Sequence, residues 1–271
     1  MPHGQRLSLT PEGPGLACIR FHNPPDGFMD ELTERELGAA LDAIEADPEL
    51  AVVLLTGAEP GVFIRHYDVG VLEARARKMA ARGLRFATDR PVPESPIHTC
   101  LGRIEASPKI FIAALNGTTM GGGYELALAC DLRYAERGPW QIGLPESNLG
   151  LLPGAGGTQR LAALVGAGRA LEWLLLGRTF SPDEAAAHGL VHACVDAPVL
   201  EHACAVARRL VDRPRRALGH IKRLVRGTAQ VTRAQGLADE RTLFCDLMVN
   251  PETIEQMRRM NAGERDITGE E

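Results

Sequence analysis

The 271-residue chain has few aromatic residues, no long apolar run and little excess charge of either sign. With only 2 tryptophans, 3 tyrosines and 7 phenylalanines, aliphatic side chains and alanine must fill most of any core. No apolar stretch reaches the roughly 18 residues that span a membrane, and the first residues contain no apolar signal segment. We therefore expect a protein without a membrane partner.

The net charge of −5 is modest, which argues against nucleic acid as the main partner. The six cysteines are scattered along the chain, so we expect reduced, mostly buried thiols and a cytoplasmic location. Three His-x-Cys pairs occur, at 98/100, 192/194 and 202/204. Their spacing differs from that of the usual zinc sites, and no metal is predicted.

Apolar runs that are typical of buried strands alternate with helical patterns, which predicts an α/β core with parallel strands. The predicted strands are 15–21, 51–57, 109–117, 131–135 and 190–195. The predicted helices of this part are a segment within 31–50 that stops near Asp47 and Pro48, then 69–89, 97–106 and 124–130. After 153–157 the pattern turns helical again, and the segment 181–189 carries a capping box of Ser181 and Glu184. Beyond residue 196 the pattern is helical, over 197–211, 215–227, 233–249 and 251–261. We therefore divide the chain into a core, 1–196, and a helical region, 197–271.

The segment "TMGGGYELALACD" (119–131) places three glycines before a helical pattern with Glu125 in its first turn. Glycine lets two backbones approach closely, so the triplet is consistent with a tight contact between a helix and a strand. A helix that begins there also directs unpaired N–H groups and its positive end at the junction, which suits an anion or an enolate oxygen. The glycines alone do not separate these interpretations.

A second carboxylate, Glu146, follows a proline in the segment 140–161 and is expected in a loop between a short strand and a glycine-rich turn. Taken singly, each glutamate is typical of a surface residue. Together, two carboxylates near an oxyanion site can handle one water molecule, because one removes its proton and the other delivers a proton to carbon.

Three ordered segments resemble the crotonase superfamily, in particular its enoyl-CoA hydratases. They are "KIFIAALNGTTMGGGYELALACDLRYA", "IGLPESNLGLLPGAGGTQRLAALVG" and "GRTFSPDEAAAHGLVHACV". The resemblance covers about residues 15 to 200 and is most specific from 109 to 195. It implies an α/β spiral of ββα units with a C-terminal helical region used for trimerisation, and hence a homotrimer or a dimer of trimers.

The resemblance also implies roles for individual residues. The backbone N–H groups of Tyr67 and Gly122 would bind the thioester oxygen, Glu125 would activate water, and Glu146 would protonate Cα. The residues expected to line the substrate site are His66, Asp68, Gly121, Gly123, Pro145 and Gly154. Coenzyme A is part of the substrate, and no separate cofactor is expected.

The implied reaction is addition of water to a trans-2-enoyl-CoA, giving the 3-hydroxyacyl-CoA. Two alternatives stay open: another crotonase reaction, such as isomerisation, decarboxylation or C–C hydrolysis, and an acyl-CoA binding protein without activity. Retention of both Glu125 and Glu146 favours hydration over the other reactions.

The sequence departs from the family pattern in three places. In "VFIRHYDVG" (62–70), His66 replaces the usual glycine, and Tyr67 could occupy part of the acyl pocket. The stretch between Asp68 and Lys109 is long, so substrate choice is expected to depend on 69–96. The C-terminal segment lacks the usual aromatic residue; a basic run over 208–226 could instead meet a coenzyme A phosphate, or be a solvated helix face.

Overall fold

The computed structural model describes residues 4–23, 26–196, 198–264 and 266–267. The strands are β1 Leu7–Gly13, β2 Leu16–Phe21, β3 Val52–Gly57, β4 Gly61–Ile64, β5 Ile110–Leu115, β6 Gly117–Met120, β7 Leu132–Glu136, β8 Ile142–Gly143, β9 Thr179–Phe180 and β10 Ala193–Val195. The helices are α1 Glu31–Ala46, α2 Val69–Ala81, α3 Pro96–Ala106, α4 Gly122–Ala129, α5 Gly157–Val165, α6 Ala167–Leu175, α7 Pro182–Ala187, α8 Val199–Val211, α9 Arg215–Gly227, α10 Arg233–Met248 and α11 Pro251–Asn261.

The larger sheet has six strands in the order β1-β2-β3-β5-β7-β10. Its strands are parallel except for the antiparallel pair β1–β2. Both faces are covered, since Val53 and Leu55 of β3 belong to one apolar cluster and Val52 and Leu54 to the other. The predicted parallel α/β core is thus confirmed, and its continuous apolar strands are those of a sheet buried on both sides.

The second sheet has four short strands in the order β4-β6-β8-β9. Strands β4, β6 and β8 are parallel neighbours, and β9 is antiparallel to β8. The short strand predicted before Glu146 corresponds to β8. The sequence does not predict β4, β6 or β9 as separate strands, because segments of two to four residues show no measurable alternation. The carboxyl ends of β4, β6 and β8 meet at one edge of the sheet, and the chain segments that leave this edge form the candidate site.

The helix predicted over 69–89 ends at Ala81. Gly83 adopts a φ of +63°, and the N–H groups of Gly83 and Leu84 donate to the carbonyls of Ala80 and Met79. This is the Schellman arrangement that closes a helix. The remainder of the predicted helix, 82–89, is exposed, and so are the following residues 90–94.

The C-terminal helices match their predicted ranges within about two residues, which is the usual uncertainty of a helix end. Helix α8 packs on the larger sheet through Val199, Ala203 and Ala207, so this helix belongs to the core although it follows residue 196. Farther on, α10 contains no buried residue. Among the described helices, none combines the length and apolarity that a membrane crossing requires.

The approach of helix α4 to strand β4 yields a stability prediction. A Cβ atom at Gly123 would lie 2.2 Å from the backbone oxygen of Ile64, so Gly123→Ala must push helix and strand apart. We expect a loss of about 1–3 kcal/mol in the free energy of unfolding, measured by urea denaturation.

Gly168 supplies the matched control, because it is likewise the second residue of a helix and a Cβ there would meet nothing within 4 Å. Gly168→Ala should leave stability unchanged or raise it by about 0.4–1 kcal/mol. Equal effects of the two substitutions would contradict a backbone contact at Gly123.

Candidate active site

The predicted site residues come from three chain segments that follow neighbouring parallel strands. Residues His66 and Tyr67 follow β4, the glycine triplet follows β6, and Glu146 follows β8. Because parallel strands end at the same edge, segments 25 to 80 positions apart lie side by side. A Cβ atom at Gly122 would lie 3.6 Å from Cβ of Tyr67, and one at Gly121 would lie 3.2 Å from Oε1 of Glu146.

The three glycines have three different surroundings. Gly121 has a φ of +50° and turns the chain from β6 into α4. Gly122 faces Tyr67 and Met29, and Gly123 packs on the backbone of Ile64. Gly123 therefore serves the contact between helix and strand, and Gly122 faces the cavity.

The N–H groups of Tyr67 and Gly122 are both free of hydrogen bonds to other described residues. The bridge between Met29 and Tyr67 uses the carbonyl of His66 and the N–H of Asp68, which leaves the N–H of Tyr67 on the opposite side of the extended backbone. Gly122 is the first residue of α4, where the N–H has no partner within the helix. Two adjoining unpaired N–H groups are the donors that an oxyanion site requires.

Glu125 is buried, with 2% of its surface exposed, on the first turn of α4. The N–H groups of Ala155 and Gly157 both donate to its Oε1, each at 2.7 Å. These bonds fix the carboxyl group and leave Oε2 available to a ligand. Burial raises the pKa of Glu125, and the two amide bonds oppose this by stabilising the carboxylate.

Glu146 lies in a turn of 3₁₀ helix, Glu146–Leu149, that follows β8. Its Oε2 is buried and has no hydrogen-bond partner in the described parts of the chain. Burial, with a smaller contribution from the negative charge of Glu125, raises the pKa of Glu146 to about 7. The two carboxyl groups thus differ in environment: one is held by amides, and the other is free to carry a proton near neutral pH.

A cavity of about 470 Å³ joins these groups. Most of its wall is apolar, and the aliphatic side chains that line it are Met29, Val69, Leu72, Ile97, Leu149, Leu151 and Leu152. Predicted site residues form much of the remaining wall, namely His66, Tyr67, Gly121, Gly122, Glu125, Pro145, Glu146 and Gly154. The volume lies within the usual range of small-molecule sites.

Two predicted site residues, Asp68 and Gly123, do not line this cavity. Oδ1 of Asp68 accepts hydrogen bonds from the N–H groups of Gly70 and Val71, at 2.8 and 3.2 Å, and thereby caps α2. Gly123 is packed between α4 and β4. Asp68 thus fixes the start of α2 next to Tyr67, and Gly123 fixes the start of α4 next to Gly122. Neither residue faces the cavity.

His98 lines the cavity and was considered in the sequence only as half of a His-x-Cys pair. Its Nδ1 accepts the N–H of Ser95 at 3.1 Å, so the ring proton lies on Nε2, which donates to the carbonyl of Gly154 at 2.8 Å. Gly154 directly precedes Ala155, whose N–H holds Glu125. His98 therefore fixes the loop that orients the buried carboxylate, a role that depends on contacts 56 residues apart.

Within the described residues, no three His, Cys, Asp or Glu side chains are grouped so that they could hold a metal ion. Cys100, which lies on α3 with His98, is buried, and its thiol faces the carbonyl of Glu34 at 3.7 Å.

The model of the enoyl-CoA hydratase/isomerase family matches residues 12–261 of the chain. A probable enoyl-CoA hydratase of Bacillus subtilis is 33% identical over 216 residues, which are 78% of this chain and 78% of that protein. The fatty acid oxidation complex subunit alpha of Shewanella halifaxensis is 34% identical over 197 residues, 72% of this chain but only 27% of that longer protein.

The crystal structure of an enoyl-CoA hydratase from Bacillus anthracis superposes with a TM-score of 0.84 at 29% identity. The superposition covers 96% of this chain and 97% of that one, which confirms the crotonase fold. With the family model matching nearly the whole length, the chain belongs to the enoyl-CoA hydratase/isomerase family, the crotonase family.

Proposed function

We propose that the protein adds water to the double bond of a trans-2-enoyl-CoA and forms the 3-hydroxyacyl-CoA. The observation that carries the proposal is the pair of glutamates in different protonation environments, beside two unpaired N–H groups on one apolar cavity. Hydration needs a base for water, an acid for Cα and a site for the negative charge that develops on the thioester oxygen.

In the proposed reaction, the thioester oxygen accepts hydrogen bonds from the N–H groups of Tyr67 and Gly122. Glu125, held through Oε1 by Ala155 and Gly157, takes a proton from water through Oε2. The water oxygen bonds to Cβ, and the electron pair of the double bond moves to the thioester as an enolate. Oxyanion donors of this kind are worth about 2.7–4 kcal/mol each in other enzymes.

Glu146 then delivers its proton to Cα, and the enolate returns to a thioester. One proton has moved from water to Glu125 and one from Glu146 to carbon, so the pair again carries a single proton, now on the other member. Proton exchange with solvent restores the starting state. A carboxyl group with a pKa of about 7 is well suited to this step, since near neutral pH it both holds and releases a proton.

We also propose, on family resemblance, a homotrimer or a dimer of trimers. The exposed apolar side chains of α10 and the following turn, Phe244, Met248 and Val249, are compatible with an interface between subunits. Sedimentation velocity of the purified protein tests this assignment.

Substitution of either glutamate tests the proposed proton transfers. Glu125→Gln and Glu146→Gln should each lower kcat for crotonyl-CoA by about 100-fold or more, because each removes a proton-transfer group. The measurement is the loss of absorbance of the conjugated thioester, with the product identified by chromatography.

Glu172→Gln is the matched control, since Glu172 is an exposed residue of α6 outside the cavity, and its rate should equal that of the wild type. Wild-type protein that binds the thioester without turnover would contradict the proposal and favour a binding protein. Conversion of a 3-enoyl-CoA that survives Glu125→Gln would favour an isomerase that uses one carboxyl group.

The raised pKa of Glu146 predicts how the rate of hydration depends on pH. Burial raises the pKa of Glu146 to about 7, and hydration needs its protonated form, so kcat/KM should fall as pH rises through that value. Dehydration of the 3-hydroxyacyl-CoA should show the same profile, because both directions start from a pair that carries one proton. The measurement is kcat/KM in both directions from about pH 6 to 9.

A flat profile in this range would exclude Glu146 as the proton donor. Glu172→Gln should retain the wild-type profile, which separates a specific effect of Glu146 from a general change in charge.

A further inference from the structure

An ion pair adjoins the loop that holds Glu125. Arg160, near the start of α5, donates two hydrogen bonds to Glu105 of α3, from Nε to Oε1 at 2.9 Å and from Nη2 to Oε2 at 2.7 Å. Only 18% of the Arg160 side chain and 28% of the Glu105 side chain are exposed. The planar guanidinium matches the two carboxylate oxygens, so this pair has a fixed geometry.

The remaining nitrogen of the Arg160 guanidinium bonds to the loop itself. Nη1 donates to the carbonyl of Ala155 at 2.6 Å, while the N–H of Ala155 donates to Oε1 of Glu125 at 2.7 Å. The turn is shaped around the guanidinium, since Gly156 has a φ of +94° and a Cβ atom there would lie 2.3 Å from Nη1. A single side chain therefore connects the loop to α3.

The positive charge of Arg160 also acts on Glu125. Burial raises the pKa of Glu125, and the two amide bonds and then the charge of Arg160 lower it. The other charged or titratable groups that act across this space are His98 and Glu146. Of these groups, only the guanidinium stays positive at every pH of interest.

A second guanidinium, that of Arg226 on α9, connects Glu105 to the end of α4. Its Nη1 lies 3.3 Å from Oε1 of Glu105, and its Nη2 donates to the carbonyls of Ala129 and Cys130 at 2.9 and 2.8 Å. These carbonyls close the helix that carries Glu125 on its first turn. The loop and the helix that together fix Glu125 are thus both tied to one carboxylate on α3.

We propose that Arg160 is a positioning residue, which holds the loop at 155–157 so that both amides stay on Oε1 of Glu125 and Oε2 stays free for water. Glu105 acts through Arg160. The proposal rests on the proposed function, since it takes Glu125 as the group that accepts a proton from water. Arg160 does not line the cavity, so it should affect the rate of reaction and not the affinity for substrate.

The variant Arg160→Met removes the donors and nearly keeps the length of the side chain. We expect kcat for crotonyl-CoA to fall about tenfold or more, because the base is misplaced, while KM stays within about twofold. Calorimetry with hexanoyl-CoA, which cannot be hydrated, counts the intact sites, so that unfolded protein does not lower the measured kcat. An unchanged kcat would overturn the proposal, and so would a raised KM at unchanged kcat.

Arg103→Met is the matched control. Arg103 lies on α3, forms the same two-bond pair with Glu45 at 2.9 and 2.8 Å, and donates to the carbonyl of Gly38 at 3.3 Å. These partners lie on α1, and Arg103 does not line the cavity. Its substitution should leave kcat and KM at the wild-type values. Equal losses of kcat in the two variants would contradict a specific role of Arg160.

Glu105→Gln tests whether Glu105 acts through Arg160. The variant keeps the shape of the side chain and weakens its hold on the guanidinium, so kcat should fall about threefold or more. The same change should cost less in the Arg160→Met background, where the connection is already broken. Losses that multiply fully in the double variant would overturn the proposal.

Arg160→Lys serves where Arg160→Met fails to fold. Lysine keeps the charge, but it cannot form the two-bond pair with Glu105 and reach the carbonyl of Ala155 at once. We expect kcat to fall about threefold or more at unchanged KM. A wild-type kcat in this variant would show that the geometry of the guanidinium is not needed, against the proposal.

Hydrogen exchange separates this proposal from the proposed function, because it needs no turnover. The N–H groups of Ala155 and Gly157 should exchange about tenfold faster in Arg160→Met than in the wild type or Arg103→Met, as measured by mass spectrometry of the peptide that contains them. Faster exchange in a protein without hydratase activity would support the positioning of Glu125 while contradicting hydration. Hydration with unchanged exchange and unchanged kcat in Arg160→Met would do the reverse.

Discussion

The contact between the backbones at Gly123 and Ile64 is the constraint on which the site depends. A single methyl group at Gly123 would lie 2.2 Å from the Ile64 oxygen, so only glycine lets α4 begin this close to β4. That approach puts the free N–H of Gly122 beside Tyr67, three residues after the end of β4. The same helix start places Glu125 one turn later on the cavity. The geometry of the proposed oxyanion site is therefore set by packing between a helix and a strand.

Burial then gives two identical side chains different chemistry. Glu125 is the more buried of the two, yet two backbone N–H groups stabilise its charged form. Glu146 is only partly buried but lacks such donors at Oε2, and its pKa rises to about 7. The number of hydrogen bonds to the carboxylate, more than the degree of burial, distinguishes the proposed base from the proposed acid. His98 supports this difference from outside, because it holds the loop that supplies the donors.

The residues that replace the common family pattern lie where the cavity meets α1 and α2. The backbone N–H of Tyr67 is free, so the proposed oxyanion donor is present although a larger residue stands at this position. A backbone donor is common to all residues except proline, so it does not depend on the side chain. The side chain of Tyr67 lines the cavity.

The sequence by itself determined the α/β class, every strand of the large sheet except the edge strand β1, the C-terminal helices and the identity of both glutamates. Long apolar runs and helical periodicity survive in any context, and the motif around Gly122 and Glu125 is local. The sequence did not reveal β4 and β6, nor the pairing of β6 with β8, because strands of two to four residues are stabilised by their neighbours and leave no periodic signal. These three strands bring Tyr67, Gly122 and Glu146 to one edge, so the assembly of the site was decided only by the tertiary structure. The same holds for His98, whose role arises from a contact between residues far apart in the chain.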